Sequence, residues 1–435
     1  MDCVIFVPGT MGTRLSTPEG EEVWPPTVVE TQLGYKRKAK LMRDDLLVGD
    51  VIRKVWCADV YEPLIEQFSE IGYKERGGTK RLVLFPYDWR RDLEATTDLL
   101  AAQLDQAAAA GATSITLVAH SMGGLICRLA LESGTYRNRT WFPKLKALLT
   151  LATPHLGAPL ALARILGMDG TLGISGPDFR DIAADPRYPS GYQLLPAPGE
   201  AACWDASSTD LQSLDIYAPA VAKRLGLKHE LLERARYVHD TLAEGTAPKH
   251  VRYFLFAGVG HKTATRINLA DGGARLTSTD DAGDGTVPLW SALPRSLQKQ
   301  LVSGDHSGFF KNDTFKAVFY RLLGATFSIP PLAAAERIQL SVQSLVIRAD
   351  QALDVLLAPL APVVRIDGSI LIERTDDPAQ PFEPVGDPVK VLYNGPETPQ
   401  LKLSLPPLGQ AGHYRATFRG VPGASEPIVF AVVQQ

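Results

Sequence analysis

The sequence predicts an α/β protein built on a mainly parallel sheet, followed by a smaller all-β unit. Three observations carry this reading. Short apolar runs at 3–7, 81–85, 115–118, 145–151 and 251–257 alternate with helical apolar spacing at 59–72, 93–110 and 123–133. Strands that alternate with helices of this length imply right-handed crossovers and a parallel sheet, with its active groups at the carboxyl ends of the strands. Beyond Ile329-Pro330-Pro331 the period changes, and runs at 338–347, 363–372, 389–393, 401–405, 414–418 and 427–433 read as strands with no helix between them.

Composition bounds the rest. A chain of 435 residues is long for one domain, and 45% hydrophobic with 21% charged residues is ordinary for a globular protein. A net charge of −3 argues against a nucleic-acid partner. No apolar run reaches about 18 residues, so no transmembrane helix is expected and any membrane contact would be peripheral. The first residues, MDCVIFVPGT, read as a strand and not as a secretory leader. Cys3, Cys57, Cys127 and Cys203 lack metal-ligand spacing. Reduced thiols in a cytoplasmic protein, with no metal and no cofactor, are the expectation.

Taken in order, the first strand ends at Pro8-Gly9-Thr10-Met11-Gly12, a turn able to aim an N–H at an oxyanion. Residues 21–57 have no clear period and read as a lid. They hold Trp24 and a basic run, Lys36, Arg37, Lys38 and Lys40, which is either a solvated loop face or a contact for anionic lipid head groups. The strand at 81–85 leads into Pro86-Tyr87-Asp88-Trp89-Arg90, where Asp88 and Arg90 are able to pair. The strand at 145–151 ends at Thr153-Pro154-His155. From about 156 to 249 proline and glycine turns dominate, with one helical run near 219–239, and this stretch reads as an inserted cap. A last helix at 313–323 closes the first domain, 1–329. The second, 333–435, reads as an immunoglobulin-like β-sandwich, Tyr414 standing where such folds place a tyrosine corner. It is assigned packing or recognition of a protein partner.

The chemistry centres on ITLVAHSMGG, residues 115–124. A strand that reverses sharply into a helix needs small residues beside the apex, and Ala119 and Gly123 flank Ser121 at two residues on either side. This is a nucleophile elbow of the G-x-S-x-G type with alanine for the first glycine. A serine hydroxyl needs an adjacent base, and the base needs a group to fix its tautomer. Asp284, in Gly283-Asp284-Gly285-Thr286, and His306, in Asp305-His306-Ser307, follow in the order Ser, Asp, His used by α/β-hydrolases. His120 and His155 are rival bases, the first expected to pack or hydrogen-bond locally. Asp280, Asp281 and Asp305 read as turn-formers.

Five segments together, VPGT (7–10), PYDWR (86–90), AHSMGG (119–124), GDGTVP (283–288) and DHSG (305–308), resemble the motif series of the lecithin:cholesterol acyltransferase family, in order across about 3–325. That family includes phospholipases A and phospholipid:diacylglycerol acyltransferases. The resemblance implies an α/β-hydrolase fold with lid and cap, an acyl-serine intermediate on Ser121, and an oxyanion hole from the amides of Thr10 and Met122. Trp24, Trp89 and His155 are the expected substrate-binding residues. The lid has no cysteine pair, and the β-unit lies outside the resemblance.

The expected activity is a serine esterase on lipid acyl esters, of phospholipase or lipase type, with acyl transfer sharing every residue named. The competing readings are a small-ester carboxylesterase and a non-catalytic binding module on a hydrolase scaffold.

Overall fold

A computed structural model describes residues 1–55, 58–207, 212–294, 298–326, 338–377 and 380–434. Seven strands form the central sheet: β1 Asp2–Val7, β2 Tyr73–Lys74, β3 Lys80–Leu84, β4 Ser114–His120, β5 Leu145–Leu151, β6 Arg252–Val259 and β7 Gln298–Ser303. They lie in the order β7-β6-β5-β4-β1-β3-β2, and every neighbouring pair is parallel. Alternate side chains of β1 explain the double cover. Cys3, Ile5 and Val7 enter the core on one face, Val4 and Phe6 the core on the other. On the first face lie helices α1 Leu93–Ala109 and α2 Met122–Glu132; on the second lie Glu62–Glu70 and Asp313–Leu322, through Leu64, Phe68, Phe315 and Phe319. This is the α/β-hydrolase arrangement the sequence predicts.

Register sets the site. Val7 pairs with Ala119 and Leu151 with His120, so the loops after β1, β4 and β5 leave the sheet side by side.

The segment at 156–249 is more ordered than its composition suggests. Helices Pro159–Ile165, Gly176–Ala183 and Ser190–Gln193 precede the expected run, which is itself two helices, Pro219–Leu225 and His229–Glu244. Gly226 separates them at φ 70°, a left-handed C-cap. A hairpin that the sequence reading left unassigned, His261–Ala270 with Gly273–Gly283, extends from β6. It joins Cys203–Asp205 and Gln212–Ser213 in a second sheet. The Asp271-Gly272-Gly273 turn between polar, alternating runs was the signal for it.

The C-terminal region is β throughout, in two sheets around one apolar core. Leu353–Pro359, absent from the expected strands, lies at the centre of the smaller sheet between Ile338–Val342 and Leu401–Leu405. From Val355 its apolar run is continuous, not alternating, because every residue from there to Pro359 is buried. The run read as one strand at 338–347 is broken: Ile338–Val342 and Val346–Arg348 belong to different sheets. Tyr414 donates its hydroxyl to the carbonyl of Gln410 at 2.8 Å, the bond expected of a tyrosine corner. The period change at Ile329-Pro330-Pro331 and Cys57 lie outside the described residues.

Candidate active site

Ser121 occupies the apex between β4 and α2 at φ 52°, ψ −125°, a backbone conformation that a side-chain-bearing residue adopts only under constraint. Its N–H donates to the carbonyl of Leu151 at 2.8 Å. The small neighbours are obligatory. A methyl group on Gly123 would stand 2.5 Å from the carbonyl oxygens of Val7 and Pro8, and one on Gly9 would stand 2.8 Å from the Ser121 Cβ. The helix that follows Ser121 and the 8–12 loop therefore run in close contact. Thr10 Oγ1 lies 3.4 Å from the sulfur of Met122.

His306 and Asp284 reach Ser121 from the loops after β7 and after Gly273–Gly283. His306 Nε2 lies 3.0 Å from Ser121 Oγ, and His306 Nδ1 lies 2.8 Å from Asp284 Oδ2. The carboxylate can only accept, so Nδ1 carries the ring proton and Nε2 accepts from the serine hydroxyl. Asp284 is buried, and its other oxygen accepts from the amides of Thr286 at 2.9 Å and Val287 at 2.7 Å. The backbone N–H of His306 donates to the Asp284 carbonyl at 2.9 Å. The sequence thus identified three residues that the fold brings into one hydrogen-bonded line.

A second line behind it was not foreseen. The Gly9 N–H donates to the hydroxyl of Tyr61 at 2.9 Å, and that hydroxyl donates to His120 Nδ1 at 2.7 Å. His120 Nε2 lies 2.9 Å from the carbonyl of His306, which can only accept, so Nε2 carries the proton. His120 is therefore neutral, and burial first, then the nearby His306, push its pKa down to about 3. Tyr61, from the start of Glu62–Glu70, had no sequence signal; the adjacency of His120 to the nucleophile was the one hint.

The loop at 8–12 is held at three points. Tyr87 of the PYDWR segment donates to the carbonyl of Pro8 at 2.8 Å, Tyr61 accepts from Gly9, and Trp24 Nε1 donates to the carbonyl of Met11 at 2.8 Å. Fixed amides are what an oxyanion hole requires, because donors that need not reorganise stabilise developing charge most. In the same segment Asp88 and Arg90 form a buried bidentate pair at 2.8 and 2.6 Å. Arg90 also donates to the carbonyl of Arg43 at 2.8 Å and lies over the Tyr188 ring, 4.5 Å from its centroid, so it ties the segments at 21–55 and 156–249 to the sheet.

The site opens on a mostly apolar cavity of about 330 Å³ that includes Ser121, His306, Trp24 and Thr10 in its lining. Of the other expected substrate contacts, Trp89 stands behind Trp24, ring centroids 5.3 Å apart, and does not line the cavity. His155 is buried outside it, beside Thr150 Oγ1 at 3.2 Å and Arg128 at 3.5 Å, and burial, then Arg128, push its pKa well below the usual imidazole range.

The basic run is largely paired. Arg37 bonds Glu30 at 2.8 Å, Lys38 bridges to Asp178 and Asp181 of the cap at 2.6 and 2.9 Å, and Lys40 meets Glu21 at 2.6 Å. These contacts favour the loop reading over a free anionic-lipid contact. Among the described residues no group of three or more His, Cys, Asp or Glu side chains could hold a metal, and no helix is long and apolar enough to cross a membrane.

Comparison with known proteins agrees with this architecture. The lecithin:cholesterol acyltransferase family model matches residues 52–210. The lecithin-cholesterol acyltransferase-like 4 protein of Arabidopsis thaliana is 22% identical over 338 residues, 63% of this chain. The chain spans 61% of that relative's length. Among solved structures, a chain of the Tle4–Tli4 complex superposes with a TM-score of 0.51 at 13% identity, covering 72% of this chain and 96% of its own. The Bacillus licheniformis lipase BlEst2 gives 0.39 at 15% identity, with 74% and 91% covered.

Proposed function

From its resemblance to the lecithin:cholesterol acyltransferase family, we propose that this chain is a serine hydrolase or acyltransferase acting on lipid acyl esters, of phospholipase or lipase type. One observation carries the reading: a serine, a histidine and a buried aspartate in hydrogen-bonded series, at 3.0 and 2.8 Å, facing a mostly apolar cavity. An ester carbonyl placed against Ser121 is attacked by Oγ as His306 Nε2 takes its proton. Asp284 holds the imidazole through Nδ1–H and offsets its new positive charge. The tetrahedral oxyanion is received by the amides of Thr10 and Met122. Collapse expels the alcohol, protonated by His306, and leaves the acyl group on Ser121. Water or a second alcohol, deprotonated by His306, then releases it. Hydrolysis and transfer differ only in that last nucleophile.

The proposal divides the chain into a hydrolase domain over 1–329, with a lid at 21–57 and a cap at 156–249, and a β-domain over 333–435. The cap also takes in the 261–283 hairpin, which shares its sheet. Free, buried Cys3, Cys127 and Cys203 are compatible with a reducing cytoplasmic compartment, and lipid is met from the aqueous side. Trp24 is kept as a substrate contact.

Incubation with a fluorophosphonate, and separately with a radiolabelled phospholipid with and without a long-chain alcohol, tests the proposal. Ser121 becomes labelled, Ser121→Ala does not, and labelled fatty acid or fatty ester appears only with the serine present. Labelling that persists in Ser121→Ala would refute the nucleophile.

A further inference from the structure

The cavity has a wall that belongs to neither lid nor cap. Gln343, Ser344, Leu345 and Val346, at the break between Ile338–Val342 and Val346–Arg348, line it together with Val429 and Ala431 of Ile428–Val433. The 343–346 side chains are half-buried, as expected of groups facing an internal cavity and not a packed core.

Specific polar contacts hold this wall in place. The Ala431 N–H donates to the carbonyl of Leu345 at 2.8 Å, which fixes the turn on its own strand. His261 Nε2 and Ser341 Oγ share a hydrogen bond at 3.2 Å, and Asn312 Nδ2 donates to Gln339 Oε1 at 2.5 Å. Lys402 pairs with Asp281. The carbonyl of Gln343 comes so close to the loop carrying Asp284 that a methyl group on Gly285 would lie 3.1 Å from it. On the other side, Ile428–Val433 packs against the lid helix Val28–Leu33. The β-region is thus seated between the aspartate loop and the lid, and its turn closes the space that the nucleophile faces.

We propose that the C-terminal β-region selects the acyl arm of the substrate, with Leu345 and Val429 as specificity-determining residues. This deepens the esterase reading and rests on it. The carbonyl end of the ester must lie at Ser121 and Thr10, so apolar side chains elsewhere in the lining meet methylene groups. Each methylene buried there changes relative kcat/KM about fourfold. A cavity of about 330 Å³ is near the lower end for ligand sites, so one bulky change is enough to shorten it.

The experiment uses the full chain and 4-nitrophenyl esters from butyrate to palmitate. Leu345→Trp moves the preference to shorter chains and lowers palmitate relative to butyrate about tenfold or more. Leu345→Ala and Val429→Ala move it the other way. Both alanine variants still become labelled at Ser121 by a fluorophosphonate, at whatever rate, which reports an intact fold and nucleophile. Leu392→Ala, on an exposed face of the same region, leaves the profile unchanged. Wild-type profiles in all three wall variants, with labelling retained, would overturn this inference and leave the esterase reading standing. A wild-type chain that neither labels nor cleaves any ester would overturn both.

Discussion

The elbow and the C-terminal wall line a single cavity, yet they are built to opposite standards. At the elbow the backbone has no slack: Gly9 and Gly123 leave no room for a methyl group, Ser121 is held at positive φ, and hydrogen bonds fix the loops around it. The wall, by contrast, is a half-buried turn of mixed side chains, anchored at its edges and open toward the space it lines. The difference separates two tasks. Moving a proton between two atoms tolerates displacements of a fraction of an ångström, whereas accommodating a hydrocarbon needs only shape and apolarity. Changes at the elbow should therefore lower the rate for every ester alike, and changes at the wall should re-rank the esters.

Asp284→Asn sharpens that contrast most. Oδ1 already accepts from the amides of Thr286 and Val287, so the asparagine keeps its oxygen there and turns its NH2 toward His306. Nδ1 must then accept, Nε2 carries the proton, and the imidazole can no longer receive one from Ser121. The expected loss in kcat is about 10⁴-fold, equal for butyrate and palmitate. A loss confined to long esters would break the comparison.

Tyr61→Phe comes next. It strips the acceptor from the Gly9 N–H and the donor from His120 Nδ1, two buried groups one step from the oxyanion loop and from the His306 carbonyl. Stability should fall by about 1–3 kcal/mol in urea unfolding. If the line from Gly9 to His306 positions the chemistry, kcat falls by roughly 10–100-fold with KM little changed. A loss of stability with kcat intact would leave that line a structural one.

The same division explains what the sequence could show. Ser121, Asp284 and His306 each sit in a short motif whose glycines are demanded by close approach of another segment or by a positive φ, so ten or fewer residues reveal each of them. The central sheet was legible because alternation of strand and helix is itself local. Tyr61 and Leu345 were not legible, since their roles arise from contacts 59 residues away with His120, or across domains, that leave no local pattern. The break at 343–345 did leave a local mark: the alternation that runs from Ile338 to Gln343 fails at Gln343-Ser344, and the apolar run Leu345-Val346-Ile347 follows where the chain changes sheets. Trp89 and His155 erred in the other direction. Both are close to the site in sequence terms, but burial directs them into the packing behind it.

Acid pH gives the gentlest test, because it acts on groups already present. His120 and His239 are held neutral by burial, with pKa values pushed down to about 3 and about 4, and His155 lies lower than the usual range as well. All three belong to the hydrolase region. In the unfolded chain each takes a proton near pH 6.5. Between that pH and the native values the unfolded state binds more protons, so stability is complete above about pH 6.5 and declines as pH falls toward 4. Each histidine contributes about 1 kcal/mol per pH unit over that window. Hydrogen exchange at pH 7 and pH 5 should show the hydrolase region losing protection more than the β-region, where His413 alone among the described histidines has its pKa lowered by burial. Equal losses in the two regions would mean that they unfold as one body and that the wall is bound to the elbow more tightly than its edge contacts suggest.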